Sequence, residues 1–181
     1  IKARIMGDKT NWLICGTSPF ACSGTKCNYI VNDIGIDFSQ FITVGLNWYP
    51  EKCDYRFIMD CGLLSLPCFE GEKLVINNQL LNELKYFNHV GQECLSIQPY
   101  LVFEIGKELD CINSVCEPAI EYAYKQGADN IILFGVDLTS DWQSAERVQV
   151  TRDIISKYGN VYTLNKKSEV GVPLWTEINL K

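Results

Sequence analysis

The chain has 181 residues, of which 47% are hydrophobic and 21% charged, and its mean hydropathy is −0.02. This length and composition fit one soluble domain with enough apolar mass to form a core without metals or disulfides. The formal net charge is −6, which argues against a general duplex-DNA binder or a protein of anionic membrane surfaces, since both need a cationic surface. We therefore expect no nucleic-acid partner.

Targeting signals and membrane spans are not expected from the sequence. Residues 1–10 lack the apolar run of a signal peptide, and no stretch approaches the roughly 20 apolar residues of a membrane helix. We expect a cytoplasmic protein, or one of the host cytoplasm if the source is viral. Its nine cysteines are then expected to be reduced thiols that pack as small hydrophobic side chains.

Short apolar runs alternate with turn signals along the chain, which favours an α/β protein. The most regular unit extends from Ser114 to Asp137: Pro118 suits a first helical turn, Gly127 suits a helix end, and a buried strand follows. A second helix is predicted at about 144–158. Strands are predicted at 11–15, 27–32, 41–47, 54–60, 74–77, 131–137 and 160–165, and the segment 171–176 is predicted to be a loop or an edge.

These elements predict one Rossmann-like α/β domain over residues 1–181, with an open, mostly parallel sheet and helices on both faces. Residues 78–109 stay ambiguous, because helical spacing around Leu80 and Leu84 is followed by a run of mixed period. This segment is interpreted as an uncertain insert or a lid-like segment.

In an open parallel sheet, ligands bind outside the carboxyl ends of the strands. Gly16, Thr17 and Ser18 follow the first predicted strand, where a glycine allows close backbone approach and hydroxyls and amides can hold a phosphate. The turn has neither a Walker A pattern nor a GxGxxG pattern. A tight turn in which Ser18 caps a helix explains the same residues.

Asn47 and Ser114 are candidates for binding a nucleotide. Asn47 ends a predicted strand and precedes Trp48 and Tyr49, so its amide could read a base that stacks on an aromatic ring. A turn asparagine beside core aromatic residues is the alternative. Ser114 precedes the Pro118 helix, whose amino end could hold an anion, although an ordinary helix cap fits equally well.

Asp60 and Asp137 each follow an apolar strand and are the candidate catalytic residues. A carboxylate at this place can act as a base, grip ribose hydroxyls or bind Mg²⁺, but aspartate also commonly ends strands. His89 is the only histidine, which excludes a zinc site with two histidines from this chain. The closest cysteine pairs, Cys22/Cys27 and Cys111/Cys116, do not have the spacing of a zinc knuckle, so no metal site is predicted.

The order of these motifs resembles a known superfamily. It joins the family 42 sialyltransferases to the domain-of-unknown-function 115 proteins, which include motility accessory proteins and archaeal 6-hydroxymethylpterin diphosphokinases. The segments that carry the resemblance are Trp12–Phe20, Phe41–Asn47, Cys53–Asp60, Ser114–Asp137 and Val161–Pro173. They extend over most of the chain in the family's order.

The resemblance implies a nucleotide site. By position, Gly16, Thr17, Ser18, Asn47 and Ser114 would hold the phosphate and ribose of an activated sugar, and Asp60 and Asp137 match the family's strand-end aspartates. In the pterin branch such carboxylates would serve Mg²⁺.

Three features depart from the family pattern. The turn at Gly16 lacks the family's second glycine, and Cys116 lies where the family has a small glycine. No histidine follows His89, whereas the sialyltransferases use a late histidine base, so sialyl transfer is not the expected reaction.

Two classes of function remain open at this point. The first is a nucleotide-dependent transferase, best matched by a small glycosyltransferase-like enzyme with a nucleotide-sugar as substrate, or by a diphosphotransferase on the same fold. The second is a non-catalytic nucleotide-binding or ligand-binding protein, which is compatible with a viral source. Strand-end Asn, Ser and Asp favour the enzyme, and the altered turn and the single histidine favour the binding protein.

Overall fold

Among the residues that the computed structural model of the chain describes, seven strands form one parallel sheet. These residues are 10–16, 37–47, 49–59, 71–86, 100–104, 107–109, 114–138 and 144–176. The strands are β1 (Asn11–Cys15), β2 (Ile42–Leu46), β3 (Tyr55–Ile58), β4 (Lys73–Asn77), β5 (Tyr100–Phe103), β6 (Asn130–Phe134) and β7 (Val161–Thr163). Their order in the sheet is β5-β4-β3-β2-β1-β6-β7.

The described helices are α1 (Asn78–Tyr86), α2 (Cys116–Lys125) and α3 (Ala145–Ile155), and a 3-10 turn covers Phe38–Gln40. Three of the α-helix boundaries have a local cause. Asn77 accepts a hydrogen bond from the Leu80 amide at 2.6 Å, and Ser144 accepts one from the Arg147 amide, so both side chains cap helix starts. Gly127 has a φ of +80° after α2, which is the predicted glycine at the helix end.

The sheet separates two apolar layers, and a helix covers each of them. Side chains of α2 and α3, including Ile120 and Val148, pack with Trp12, Ile14 and Ile131 on one side. We call this side the α2 face. On the other side, which we call the α1 face, Leu80 of α1 packs with Leu74, Ile76 and Ile58. The predicted fold class, an open parallel Rossmann-like sheet with helices on both faces, is confirmed.

The parallel arrangement explains why several strands could be predicted from the sequence. Strands covered on both faces are continuous apolar runs, and every residue from Ile131 to Phe134 is buried. Within the ambiguous segment 78–109, α1 and β5 take part in the main fold, since β5 pairs with β4 in register Leu74 to Tyr100. The predicted strand at 27–32 lies outside the described residues.

The segment 171–176, predicted to be a loop or an edge, lies beside β7 at the edge of the sheet. Thr163 bridges Leu174, and its amide and carbonyl bond to Pro173 O at 2.9 Å and Trp175 N at 2.8 Å. No helix in the described ranges combines the length and the apolar character that a bilayer crossing requires.

An aromatic cluster fills the α2 face beneath α2. The rings of Trp12 and Tyr55 stack with centroids 5.4 Å apart, and Tyr122 of α2 meets Trp12, Tyr55 and Phe57 edge-on. Burial, followed by the neighbouring Tyr55 hydroxyl, raises the pKa of Tyr122 to about 12. The cluster therefore contains a phenol that stays protonated well above its ordinary range.

The raised pKa of Tyr122 predicts a loss of stability at alkaline pH. The unfolded chain loses this proton near pH 10, while the folded chain keeps it to about pH 12. Deprotonation therefore favours unfolding, and the contribution of Tyr122 is complete below pH 10 and lost between about pH 10 and 12. Urea unfolding from pH 8 to 12 should show Tyr122→Phe falling less steeply than the wild type. Parallel curves would contradict the assignment, and the exposed Tyr124→Phe serves as the control.

Candidate functional site

The sheet order reverses at β1, which lies between β2 and β6. The chain builds outward from β1 to β5 on one side and then crosses to β6 and β7 on the other. Such a reversal leaves a crevice at the carboxyl ends of the central strands, which is where open α/β sheets bind ligands. Gly16, Asn47 and Asp137 follow β1, β2 and β6 respectively, so the candidate site lies at this edge.

Gly16 brings β1 and β6 into unusually close contact. Its amide donates to Phe134 O at 2.7 Å, which extends the strand pairing past the end of β1. A Cβ at residue 16 would lie 2.4 Å from the backbone oxygen of Gly135, closer than atoms can approach. Glycine is therefore required here by the neighbouring strand, whatever binds beyond it.

Asn47 adopts a left-handed backbone conformation, with a φ of +46°. Its amide donates to Phe57 O at 2.9 Å, so the residue stays attached to β3 as the chain leaves β2. Its Oδ1 is buried and accepts no hydrogen bond within the described part of the chain. A buried acceptor without a donor costs free energy, and a ligand with an N–H or O–H group would remove that cost.

Asp137 lies deep in the β6 end of the site, with 3% of its surface exposed. Its carbonyl accepts from the Glu169 amide at 3.0 Å, which attaches the segment after β7 to the end of β6. That segment is itself ordered by Asn165, whose Oδ1 accepts from the Lys167 amide at 2.9 Å. The carboxyl edge of β6 is thus covered by a folded turn.

The start of α2 reaches the same edge, because α2 precedes β6 and packs on β1 and β6. Ser114 does not cap this helix. Its Oγ lies 2.8 Å from the Cys116 Sγ, and the N-cap residue is Val115, which provides no side-chain hydrogen bond. Glu117 in the first turn is 1% exposed and accepts from the Thr151 hydroxyl at 2.8 Å.

A buried ion pair supports the loop that carries Asn47. Arg56 Nε and Nη2 donate to the two carboxylate oxygens of Glu72, at 2.7 and 2.8 Å. Nη1 donates to the carbonyls of Asn47 at 3.0 Å and Tyr49 at 2.6 Å, and Nη2 donates to Glu51 O at 2.8 Å. Arg56 is 5% exposed and Glu72 is fully buried, so this guanidinium is part of the interior.

The absence of a side chain at Gly45 makes room for this guanidinium. Gly45 pairs with Arg56 across β2 and β3, and three guanidinium atoms lie 3.2 Å from the place of a Cβ at residue 45. Sequence reasoning passed over the whole network. The signal was a single charged residue inside the apolar strand Tyr55–Ile58.

Two thiols pack beside this network on the α1 face. Cys15 is 0% and Cys53 4% exposed, and they share one cluster with Tyr49. Burial, followed by the neighbouring Cys53 thiol, raises the pKa of Cys15, and burial, followed by Cys15, raises the pKa of Tyr49. Both groups are therefore held neutral, and Cys15 and Cys53 pack in the core as the sequence analysis expects of the cysteines.

Three predicted site residues, Thr17, Ser18 and Asp60, lie outside the described residues, as does His89, the histidine noted in the sequence. The others, Gly16, Asn47, Ser114 and Asp137, all lie at the carboxyl edge around β1. In the described ranges, no three Asp, Glu, His or Cys side chains group as metal ligands would. Of the two aspartates that the sequence suggested for Mg²⁺, the described residues include Asp137. One carboxylate by itself does not make a magnesium site.

Comparison with known proteins assigns no relative. No protein-family model, curated protein or solved structure matches the chain.

Proposed function

We propose that the chain binds a nucleotide or nucleotide-sugar at the reversal point of its sheet and acts as a small glycosyltransferase-like enzyme. The observation that carries the proposal is the orphaned acceptor of Asn47, at the carboxyl edge where parallel α/β sheets bind ligands. The amino or hydroxyl groups of a nucleotide would supply the missing donor.

The start of α2 supports the anionic part of such a ligand. Helix amino ends attract phosphates through backbone N–H groups and the helix dipole. The N-cap residue, Val115, makes no side-chain hydrogen bond to the backbone N–H groups of the first turn. The hydroxyl of Ser114 lies next in the chain to this residue. The Gly16 amide bonds to β6, so phosphate contacts of the β1 turn would fall to Thr17 and Ser18.

In the proposed reaction an acceptor hydroxyl attacks the anomeric carbon of the sugar. The bond from that carbon to the nucleotide phosphate breaks, and the nucleotide leaves with the electron pair. A carboxylate, Asp60 or Asp137, takes the proton of the hydroxyl. Catalysis would rest mainly on positioning and on stabilising the leaving phosphate.

A non-catalytic nucleotide-binding protein is the second candidate, and the burial of Asp137 favours it. A carboxylate with 3% exposure reaches an acceptor only if the site opens. In that case Asp60 would be the base, or the chain would bind its ligand without reaction. A diphosphotransferase would need Mg²⁺ and therefore further carboxylates beside Asp137.

Thermal unfolding with nucleotides tests the binding. CMP-, UDP-, GDP- and ADP-linked sugars are each added in excess, and at least one should raise Tm. A ligand present at 100 times its Kd adds about 2.7 kcal/mol to the free energy of unfolding. Asn47→Ala should weaken that binding about tenfold, as expected for a lost buried hydrogen bond, while Gln149→Ala on the exposed side of α3 should not. A panel without any shift would contradict both nucleotide functions.

Hydrolysis of the bound donor separates the two candidates. An enzyme should hydrolyse its nucleotide-sugar slowly without an acceptor, and Asp60→Asn or Asp137→Asn should abolish this activity while the Tm shift with nucleotide persists. Binding without turnover in the wild type would support the binding protein instead.

A further inference from the structure

The backbone of Asn47 is held on both sides by consecutive residues of β3. Its amide donates to Phe57 O at 2.9 Å, and its carbonyl accepts from Arg56 Nη1 at 3.0 Å. We propose that Arg56, oriented by Glu72, is a positioning residue that fixes the loop after β2, through its bonds to residues 47, 49 and 51, so that Asn47 presents its side chain to the nucleotide. This inference rests on the proposed function.

The left-handed backbone conformation of Asn47 indicates that its surroundings hold the residue in place. A positive φ is sparsely populated for residues other than glycine and persists where the surroundings enforce it. Two hydrogen bonds to β3 enforce it here, and Arg56 contributes one of them. The direction of the Asn47 side chain is therefore coupled to the guanidinium. Arg56 holds the backbone, and the side chain of Asn47 is the group proposed to contact the ligand.

Three backbone carbonyls of this loop converge on the guanidinium of Arg56. The backbone oxygens of Asn47, Tyr49 and Glu51 all accept from Arg56, so one rigid, planar group sets the course of the loop. Lysine would keep the charge opposite Glu72, but its single ammonium lacks the fork that reaches several acceptors in fixed directions.

Stability alone does not require the pair of Arg56 and Glu72. Replacing a buried ion pair by well-packed apolar side chains is often neutral or stabilising. A fully buried Glu72 and a guanidinium tied to one loop define where that loop lies. The loop in question ends β2 at the candidate site.

The test combines a local and a functional measurement on Arg56→Lys. Hydrogen exchange should accelerate at the Asn47 and Tyr49 amides, which bond to Phe57 O and Leu46 O, while the amides of β6 and β7 keep their relative protection. The nucleotide with the largest Tm shift among CMP, UDP, GDP and ADP should bind about tenfold more weakly. Glu72→Gln should change both measurements in the same direction and serves if Arg56→Lys does not fold.

A double-mutant cycle shows whether Arg56 acts through Asn47. In an Asn47→Ala background, Arg56→Lys should weaken binding far less than tenfold, because the side chain that it positions is gone. The control is Ile155→Ala, which removes core contacts at the far end of α3; it should lower Tm and leave affinity unchanged.

Three results would overturn the inference: additive effects in the cycle, unchanged affinity in Arg56→Lys, or unchanged exchange in the loop. A wild type that binds none of the four nucleotides overturns the proposed function itself. The exchange measurement distinguishes these failures, since it reports the loop without any nucleotide.

Discussion

Arg56→Met is expected to lower the free energy of unfolding by about 3–5 kcal/mol, the usual cost of removing one partner of a buried ion pair. Glu72 is fully buried and would keep a carboxylate opposite an apolar side chain. Urea unfolding should show a lower midpoint with an unchanged slope. Lys107→Met is the matched control, because Lys107 and Glu104 pair at 3.1 Å on the surface and such pairs contribute about 0–1 kcal/mol.

The double variant Arg56→Met/Glu72→Gln shows what else the guanidinium does. Glutamine removes the stranded charge and can still accept from the Cys53 amide, which lies 2.9 Å from Glu72. The carbonyls of Asn47, Tyr49 and Glu51 nevertheless lose their donor. The bond to Tyr49 O is the buried one, and an unsatisfied buried group costs about 1–3 kcal/mol. We therefore expect only partial recovery. Recovery to wild-type stability would mean that the ion pair, and not the carbonyls, accounts for the role of Arg56.

Gly16→Ala is expected to produce the second large effect. The added Cβ would lie 2.4 Å from the Gly135 oxygen, and this neighbour is a backbone atom directly after β6, which cannot rotate away as a side chain can. The ends of β1 and β6 must separate, at a cost of about 3 kcal/mol. Tm should fall, and the nucleotide that binds the wild type should no longer shift it.

Gly159→Ala is the control for this substitution. No atom lies within 4 Å of its Cβ position and its φ is not positive, so alanine should be neutral or stabilising by about 0.4–1 kcal/mol. A Gly16→Ala variant that unfolds like Gly159→Ala would contradict the close contact of β1 and β6.

The strands and helices of the central sheet were predictable because their sequences are locally consistent. Residues 12–15 and 131–134 are apolar runs that are each followed by a glycine, and Gly127 marks the end of α2 as glycine commonly does. The segment 78–109 was harder, since α1 and β5 are short and their apolar positions fit more than one period.

The candidate site was predictable only as a place. Strand-end residues follow from the sheet rule, but the left-handed φ of Asn47 depends on contacts with β3 that no local pattern contains. The capping role weighed for Ser114 is not observed, because its hydroxyl contacts the Cys116 thiol and the helix begins one residue later than a Ser114 cap requires. The partnership of Arg56 with Glu72 joins β3 to the residue just before β4, and spacing along the chain carries no sign of it.

Gly45 makes the ion-pair network indivisible during sequence change. A Cβ at residue 45 would lie 3.2 Å from three guanidinium atoms of Arg56, which would have to shift by a few tenths of an ångström. Loss of the guanidinium would leave the carboxylate of Glu72 without its charged partner. A chain that drifts away from this arrangement one substitution at a time must pass through an unstable intermediate. In related sequences we therefore expect Gly45, Arg56 and Glu72 to be either all present or all replaced.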